Sequence, residues 1–404
     1  MGQWWSVFSF DSLICVLASG LLQTLAVRFL PAKYMCFSST IGWSFTCFCL
    51  KVSLGKLMGT VLFLHALVAA LLFNFYGSSI AVLNRTLLYP AAGSLVMLFY
   101  PFRLPVLSVG AAVLVGLLQL WSAVSGLLML LVYPATILSQ LEPAHMRGSW
   151  LEELRRQAVD RLVERLEVPS RNGVVLDVVL LRRRVPTERW VFYIGGNAEI
   201  MKDCAADIFT EGNDMVCANW IFFNPRGVGE STGYVACVED LVVDAFAVVQ
   251  YTSQQYKIDP SKLLLWGHSI GGGVAAALAS RYHCISPILL DRTFSSLSDA
   301  AVRFTCLPPT LTRKLIQYTV GDLNVVGSCM QLKNKKLVIY HRRDEVISYS
   351  VASLGRTEVV KKFILMNDAV VELNGMYARS PHNTSLGGFQ ERDLLRSRIS
   401  FLFE

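Results

Sequence analysis

Residues 12–141 contain neither aspartate nor glutamate. Full charge there is confined to Arg28, Lys33, Lys51, Lys56, Arg85 and Arg103. A solvated helix or sheet needs charge along its outer face, so this stretch lacks the means to coat an ordinary water-facing domain. From Glu142 onward both signs of charge recur every few residues. The expected organisation is a multi-span membrane region over residues 1–146, followed by a solvated domain over residues 147–404.

A spanning helix needs roughly 20 mostly apolar residues. Residues 57–76 satisfy this with His65 as their one ionisable group, and residues 104–133 satisfy it with length to spare. Residues 12–27, 34–50 and 86–102 are shorter, more polar candidates. The intervening basic residues suit cytosolic loops near anionic headgroups, giving a multi-pass membrane location with the lipid bilayer as a partner. The opening "MGQWWS" lacks the basic start of a signal peptide. Trp4, Trp5 and Phe8 suit an interfacial anchor, and Gly2 with Ser6 fits the loose myristoylation pattern.

The net charge of +7 resides mainly in residues 1–141, where six basic side chains face the single acid Asp11. The rest of the chain is close to neutral, which excludes the clustered basic face of a nucleic-acid binder. Cys204, Cys217, Cys237, Cys284, Cys306 and Cys329 are scattered singly through the polar part. With no zinc-knuckle spacing among them, they are expected to be free thiols in a reducing compartment.

In the polar part, residues 150–166 carry apolar side chains at helical spacing and predict one amphipathic linker helix. The strand-like "GVVLDVVLL" follows. The runs "RWVFYIGG", "VCANWIFFNPRG", "KLLLWG", "ISPILLD", "KKLVIYH" and "VVELNGM" then mark further strands, the first three and the last followed by helix-like segments. Continuous apolar strands alternating with helices predict an α/β fold with a mostly parallel sheet covered on both faces. Ligands in such sheets bind at the carboxyl ends of the strands. Residues 291–334 are long enough for a small helical lid.

The chemistry-bearing stretch is Gly267-His268-Ser269-Ile270-Gly271, a G-x-S-x-G pattern between a strand and a small-residue helix. Gly267 and Gly271 leave room for a sharp turn that exposes the serine hydroxyl above helix N-terminal amides. No Lys-Ser/Thr pair follows the glycines, which disfavours a phosphate loop. "NPRGVGESTG" is one residue too long for a dinucleotide fingerprint and reads as a loop after a central strand. A serine nucleophile needs a base, and the base an orienting carboxylate. His65 lies in the membrane part, His145 at the junction, and His268 is turned away by its place beside the serine. His283 ends the helix after the turn and His341 ends a strand. His382 lies in a loop before the closing helix, and Asp344 lies just beyond the preceding strand. The order Ser269, Asp344, His382 is that of the α/β-hydrolase fold.

The segments "YIGGNAE", "NPRGVGESTG", "DPSKLLLWGHSIGGG", "ILLDRTFSSLSD", "IYHRRDEVI" and "PHN" resemble the successive landmarks of membrane-associated α/β-hydrolases of the BEM46-like (ABHD13- and ABHD17-like) type. The whole chain is also similar to the chlamydial CHLPS protein family. The hydrolase resemblance covers roughly residues 168–404. It implies an oxyanion hole from the backbone amides of Ile270 and Asn197. It also implies serine-dependent cleavage of acyl ester or thioester bonds through an acyl-enzyme, without metal or organic cofactor. The implied substrate is an acyl-containing small molecule, a lipid or an acylated protein.

Two positions depart from the pattern. Gly195 stands where the family has histidine, which predicts a more mobile loop. "HRRDE" places Arg342 and Arg343 beside Asp344, and an arginine paired with that carboxylate would withdraw it from His382. The alternative reading is therefore a catalytically weak or inactive hydrolase-fold membrane interaction protein. Asn84 and Asn383 lie in glycosylation sequons, and a glycan on Asn383 would crowd His382, which favours a cytosolic catalytic domain.

Overall fold

The computed structural model describes residues 124–126, 128–141, 149–207, 214–282, 285–365, 369–374 and 380–404. The candidate spans at 12–27, 34–50, 57–76 and 86–102, most of 104–133, the N-terminal anchor motif, and His65, His145 and His283 lie outside the described residues. Among the described residues no helix is long and apolar enough to cross a membrane.

The elements run α1 (Ala135–Leu141), α2 (Ser149–Gln157), β1 (Arg161–Pro169), β2 (Val175–Arg183), β3 (Trp190–Ile194), α3 (Met201–Asp207), β4 (Asn219–Phe223) and α4 (Val238–Tyr256). They continue with β5 (Leu263–His268), α5 (Ile270–Arg281), β6 (Ile288–Asp291), α6 (Leu297–Ala301), α7 (Pro309–Thr319) and α8 (Val325–Gln331). The chain closes with β7 (Lys336–His341), α9 (Glu358–Leu365), β8 (Ala369–Leu373) and α10 (Arg392–Phe401).

The strands form one sheet in the order β1-β2-β4-β3-β5-β6-β7-β8. β1–β2 and β2–β4 pair antiparallel, and every pairing from β4 to β8 is parallel. Successive strand side chains point to opposite faces, so a sheet buried on both sides needs apolar residues at consecutive positions. Val178, Leu180, Phe192, Ile221, Leu265 and Leu290 enter one core layer, with residues of α4, α5 and α8. Val179, Leu181, Val191, Trp220, Leu264 and Leu289 enter the other, with residues of α2, α3 and α10. Helices α6, α7 and α8, with a 3-10 turn at Val302–Phe304, occupy the insertion expected to be a small lid.

Two expectations are corrected. The helix expected over 150–166 ends at Gln157, and Arg161–Pro169 is a strand paired with β2 along its whole length. Its sequence, RLVERLEVP, fits helical spacing, and its two-residue alternation is interrupted over Leu162–Arg165. Nine residues of ladder pairing decide between the two.

The domain boundary expected at 147 lies earlier, because the compact unit is Leu128–Glu404. Met129, Tyr133 and Ala135 are buried in the first core layer, and the Ala135 N–H donates to the Asn197 carbonyl at 3.1 Å. Hydropathy registers that these residues are buried, not what buries them. The end of the candidate span 104–133 is therefore part of the globular fold.

Candidate active site

Ser269 joins β5 to α5 with φ 54° and ψ −119°, a conformation that costs a non-glycine residue about 1–3 kcal/mol. Main-chain neighbours hold it there. Its N–H donates to the Asp291 carbonyl at 2.9 Å, and its own carbonyl accepts from the Thr293 hydroxyl at 2.6 Å. The flanking glycines are required by close approach. A Cβ on Gly267 would lie 2.2 Å from the Gly271 carbonyl oxygen, and one on Gly271 would lie 1.9 Å from that of Ile194. The turn thus packs α5 directly onto the end of β3.

The structure brings Ser269, His382 and Asp344 together, all buried. His382 Nε2 is 3.0 Å from Ser269 Oγ, and His382 Nδ1 is 2.8 Å from Asp344 Oδ2. With Asp344 ionised, Nδ1–H donates to it, which leaves Nε2 to accept the serine proton. Burial lowers the His382 pKa, opposed by the bond to Asp344 and reinforced by the nearby His268 and Arg292. The net direction is downward, so the imidazole stays neutral as a base must. The second oxygen of Asp344 accepts the N–H groups of Val346 at 2.9 Å and Ile347 at 2.6 Å, which fixes the carboxylate plane.

Of the two arginines beside this acid, Arg342 faces elsewhere and Arg343 is exposed. Arg342 Nε pairs with Glu372 at 2.8 Å and lies over the Tyr349 ring, while the Arg343 backbone N–H donates to His341 Nδ1 at 2.9 Å. Glu372 on β8 draws Arg342 outward, and the carboxylate of Asp344 is left to His382.

Ile270 opens α5, so its amide is one of the four that have no intrahelical acceptor. Asn197 lies in the turn after β3. The mobility expected from Gly195 is countered by Glu199, whose carboxylate accepts the Gly196 N–H at 2.6 Å and the Tyr193 hydroxyl at 3.2 Å. A Cβ on residue 195 would come 2.9 Å from that carboxylate, so the missing side chain leaves the space Glu199 occupies. A cavity of about 20 Å³, room for one water, lies between Tyr133, Gly195 and Ile270. A larger one of about 310 Å³ opens beside His268 and His382 over an aromatic floor of Tyr193, Trp220, Phe222 and Trp266. Ser269 does not line it.

Sequence reasoning missed the residues that grip the His382 loop. The Glu345 carboxylate accepts the His382 N–H at 3.1 Å and the Ser380 hydroxyl. The Arg292 guanidinium donates to the carbonyls of Pro381 and Thr384. Their only sequence signal is charge beside a strand end, which no spacing rule singles out. The glycine-rich loop at 224–233 is structural: buried Arg226 pairs with Asp244 at 2.7 Å and Asp240 at 3.0 Å on α4. Among the described residues, Cys204, Cys217 and Cys306 are free thiols.

Residues 199–349 match the family described as serine aminopeptidase, S33, a hydrolase family. That match ends before His382, whose assignment rests on geometry. The chain is 32% identical over 141 residues to the protein bem46 of Schizosaccharomyces pombe, covering 34% of this chain and 46% of that one. It is 28% identical over 169 residues to the human alpha/beta hydrolase domain-containing protein 17C, covering 42% and 48%. The matched part thus spans about half the length of these curated relatives. An alpha-beta hydrolase from Vibrio vulnificus superposes with TM-score 0.52 at 18% identity, over 67% of this chain and 92% of that one, a likeness of fold. Its sheet order, its strained serine turn and these similarities give the chain the α/β-hydrolase fold and a likeness to the Bem46 protein and to alpha/beta hydrolase domain-containing protein 17C.

Proposed function

We propose that this protein is a membrane-tethered serine hydrolase that cleaves acyl ester or thioester bonds. The observation that carries the reading is the continuous hydrogen-bonded line from Ser269 Oγ through His382 to Asp344, at 3.0 and 2.8 Å. In this reading Ser269 Oγ attacks the acyl carbonyl carbon as its proton passes to His382 Nε2. Asp344 stabilises the resulting imidazolium and keeps its orientation. The backbone N–H groups of Ile270 and Asn197 receive the negative charge that develops on the carbonyl oxygen. Collapse expels the alcohol or thiol, which takes the proton from His382 and leaves an acyl-serine. Water then attacks that ester, gives its proton to His382, and the carboxylic acid departs as Ser269 regains the proton.

The acid-free N-terminal region supports the tether, and a tethered site meets acyl chains of lipids or acylated proteins at high effective concentration. The outward turn of Arg342 toward Glu372 supports this reading over the alternative of a fold without turnover. A fluorophosphonate probe is expected to label the full-length protein, and Ser269→Ala to abolish the label. A panel of acyl esters and thioesters would then rank the leaving groups. Equal labelling of both forms would sink the assignment.

A further inference from the structure

Arg292 directly follows β6 and stands at φ 46°, in the left-handed region that disfavours long side chains. It is 4% exposed and its neighbour Asp291 is 2% exposed. Burial opposes the charge on each, yet Asp291 is held well below the usual carboxylate range by Arg292 and His268. The pair is locked by two parallel bonds, Nε to Oδ1 at 2.7 Å and Nη2 to Oδ2 at 2.8 Å. That bidentate contact fixes the guanidinium plane and aims Nη1 at the loop before α10. There it donates to the Pro381 carbonyl at 2.6 Å and the Thr384 carbonyl at 2.5 Å. These two carbonyls bracket His382. Asp291 Oδ2 also meets His268 Nδ1 at 3.2 Å, and the His268 ring lies 4.9 Å from that of His382.

We propose that Arg292, clamped by Asp291, is a positioning residue that sets the His382 imidazole against Ser269. The inference rests on reading His382 as the general base. A buried ion pair is weak grounds for a stability role, because desolvation offsets most of its attraction. Its geometry is specific instead: one guanidinium spans a carboxylate on the sheet and two carbonyls on a loop outside the ladder. Lysine carries the same charge as a point and cannot span the three. Misplacement of a catalytic group by about 1 Å costs on the order of 100-fold in rate.

The test compares the full-length parent with Arg292→Gln and Arg292→Lys. Both variants are expected to lose about 10- to 100-fold in kcat on an ester substrate with KM nearly unchanged. The pH profile separates them. The charged groups facing His382 are Asp344 and Glu345 after β7, His268 on β5, and the Asp291–Arg292 pair after β6. His382 acts as base only when neutral, so kcat/KM falls as pH drops through its pKa, which lies below 6.5 in the parent. Glutamine removes the positive charge that opposes protonation of His382, so the acid limb moves to higher pH; lysine keeps the limb in place. The limb shift reads the charge of Arg292 at His382, and the kcat loss with unchanged KM shared by both variants reads its geometry.

Amide hydrogen exchange of residues 380–384, measured in the Ser269→Ala background, reads the clamp without turnover and is expected to quicken in both variants. Folded variants with kcat within twofold of the parent and unchanged exchange would overturn the proposal. A parent that neither labels nor turns over refutes the hydrolase reading alone, and the exchange measurement still decides the clamp. If Arg292→Gln does not fold, Arg292→Lys carries the kcat and exchange arms.

Discussion

Ser269 and His382 meet across 3.0 Å, yet they are held by unlike means. Ser269 sits in a turn fixed by main-chain contact, where Gly267 and Gly271 let backbone touch backbone at β3 and α5. His382 sits in a loop outside the sheet, fixed by two charged side chains, Glu345 and Arg292, that come from other strand ends and bond its backbone. The first arrangement rests on close backbone approach and tolerates no added atom. The second is assembled from segments far apart in sequence and depends on the charge and shape of particular side chains.

The sharpest way to break this comparison is to add one methyl group on each side. Gly271→Ala would drive a Cβ to 1.9 Å from the Ile194 carbonyl, which only backbone movement can relieve. We expect a loss of about 3 kcal/mol or more and disappearance of fluorophosphonate labelling. Gly388→Ala, in the 3-10 turn after His382, would meet only the Thr384 methyl at 3.1 Å. That variant is expected to stay within about 1 kcal/mol of the parent. Thermal unfolding of the two proteins decides it; equal destabilisation would mean that both loops are held by close packing.

This contrast also separates what the sequence could disclose. Close backbone approach demands glycine at set spacing around a serine, so the turn at 267–271 is legible as a pattern. Doubly buried strands demand continuous apolar runs, so β2 to β8 are legible too. β1 is not, because RLVERLEVP breaks alternation over Leu162–Arg165 and only its ladder with β2 makes it a strand. The Arg292 clamp is invisible for a different reason: a lone charge after a strand end carries no period, and its partners lie 89 and 92 residues away. Asp344 and His382 fall between these cases: chain order suggests them, and the structure brings them together with Ser269 in space.

The next test concerns the N-terminal edge of the site, which hydropathy assigned to the wrong unit. A chain beginning at residue 147 lacks Met129, Tyr133 and Ala135, and with them the bond that Ala135 donates to the Asn197 carbonyl. Loss of two large buried side chains amounts to roughly 3–6 kcal/mol. Denaturant unfolding of chains starting at 128 and at 147 should show the shorter one less stable by that order, with weaker labelling because Asn197 loses its support. Equal midpoints would return residues 128–141 to the preceding region.

The smallest expected effect returns to the acid. Asp344 is held by the main-chain N–H groups of Val346 and Ile347, and it needs no help from the arginines beside it. Arg342 is largely exposed and its partner is Glu372 on the neighbouring strand, a rim contact that solvent screens. Arg342→Gly should therefore leave kcat/KM within about twofold of the parent across the pH range. A tenfold rise would mean that in solution Arg342 leaves Glu372 for Asp344 and competes with His382. That outcome would place the weak point of the triad at its acid, and the comparison between a rigid serine and a clamped histidine would need a third, mobile partner.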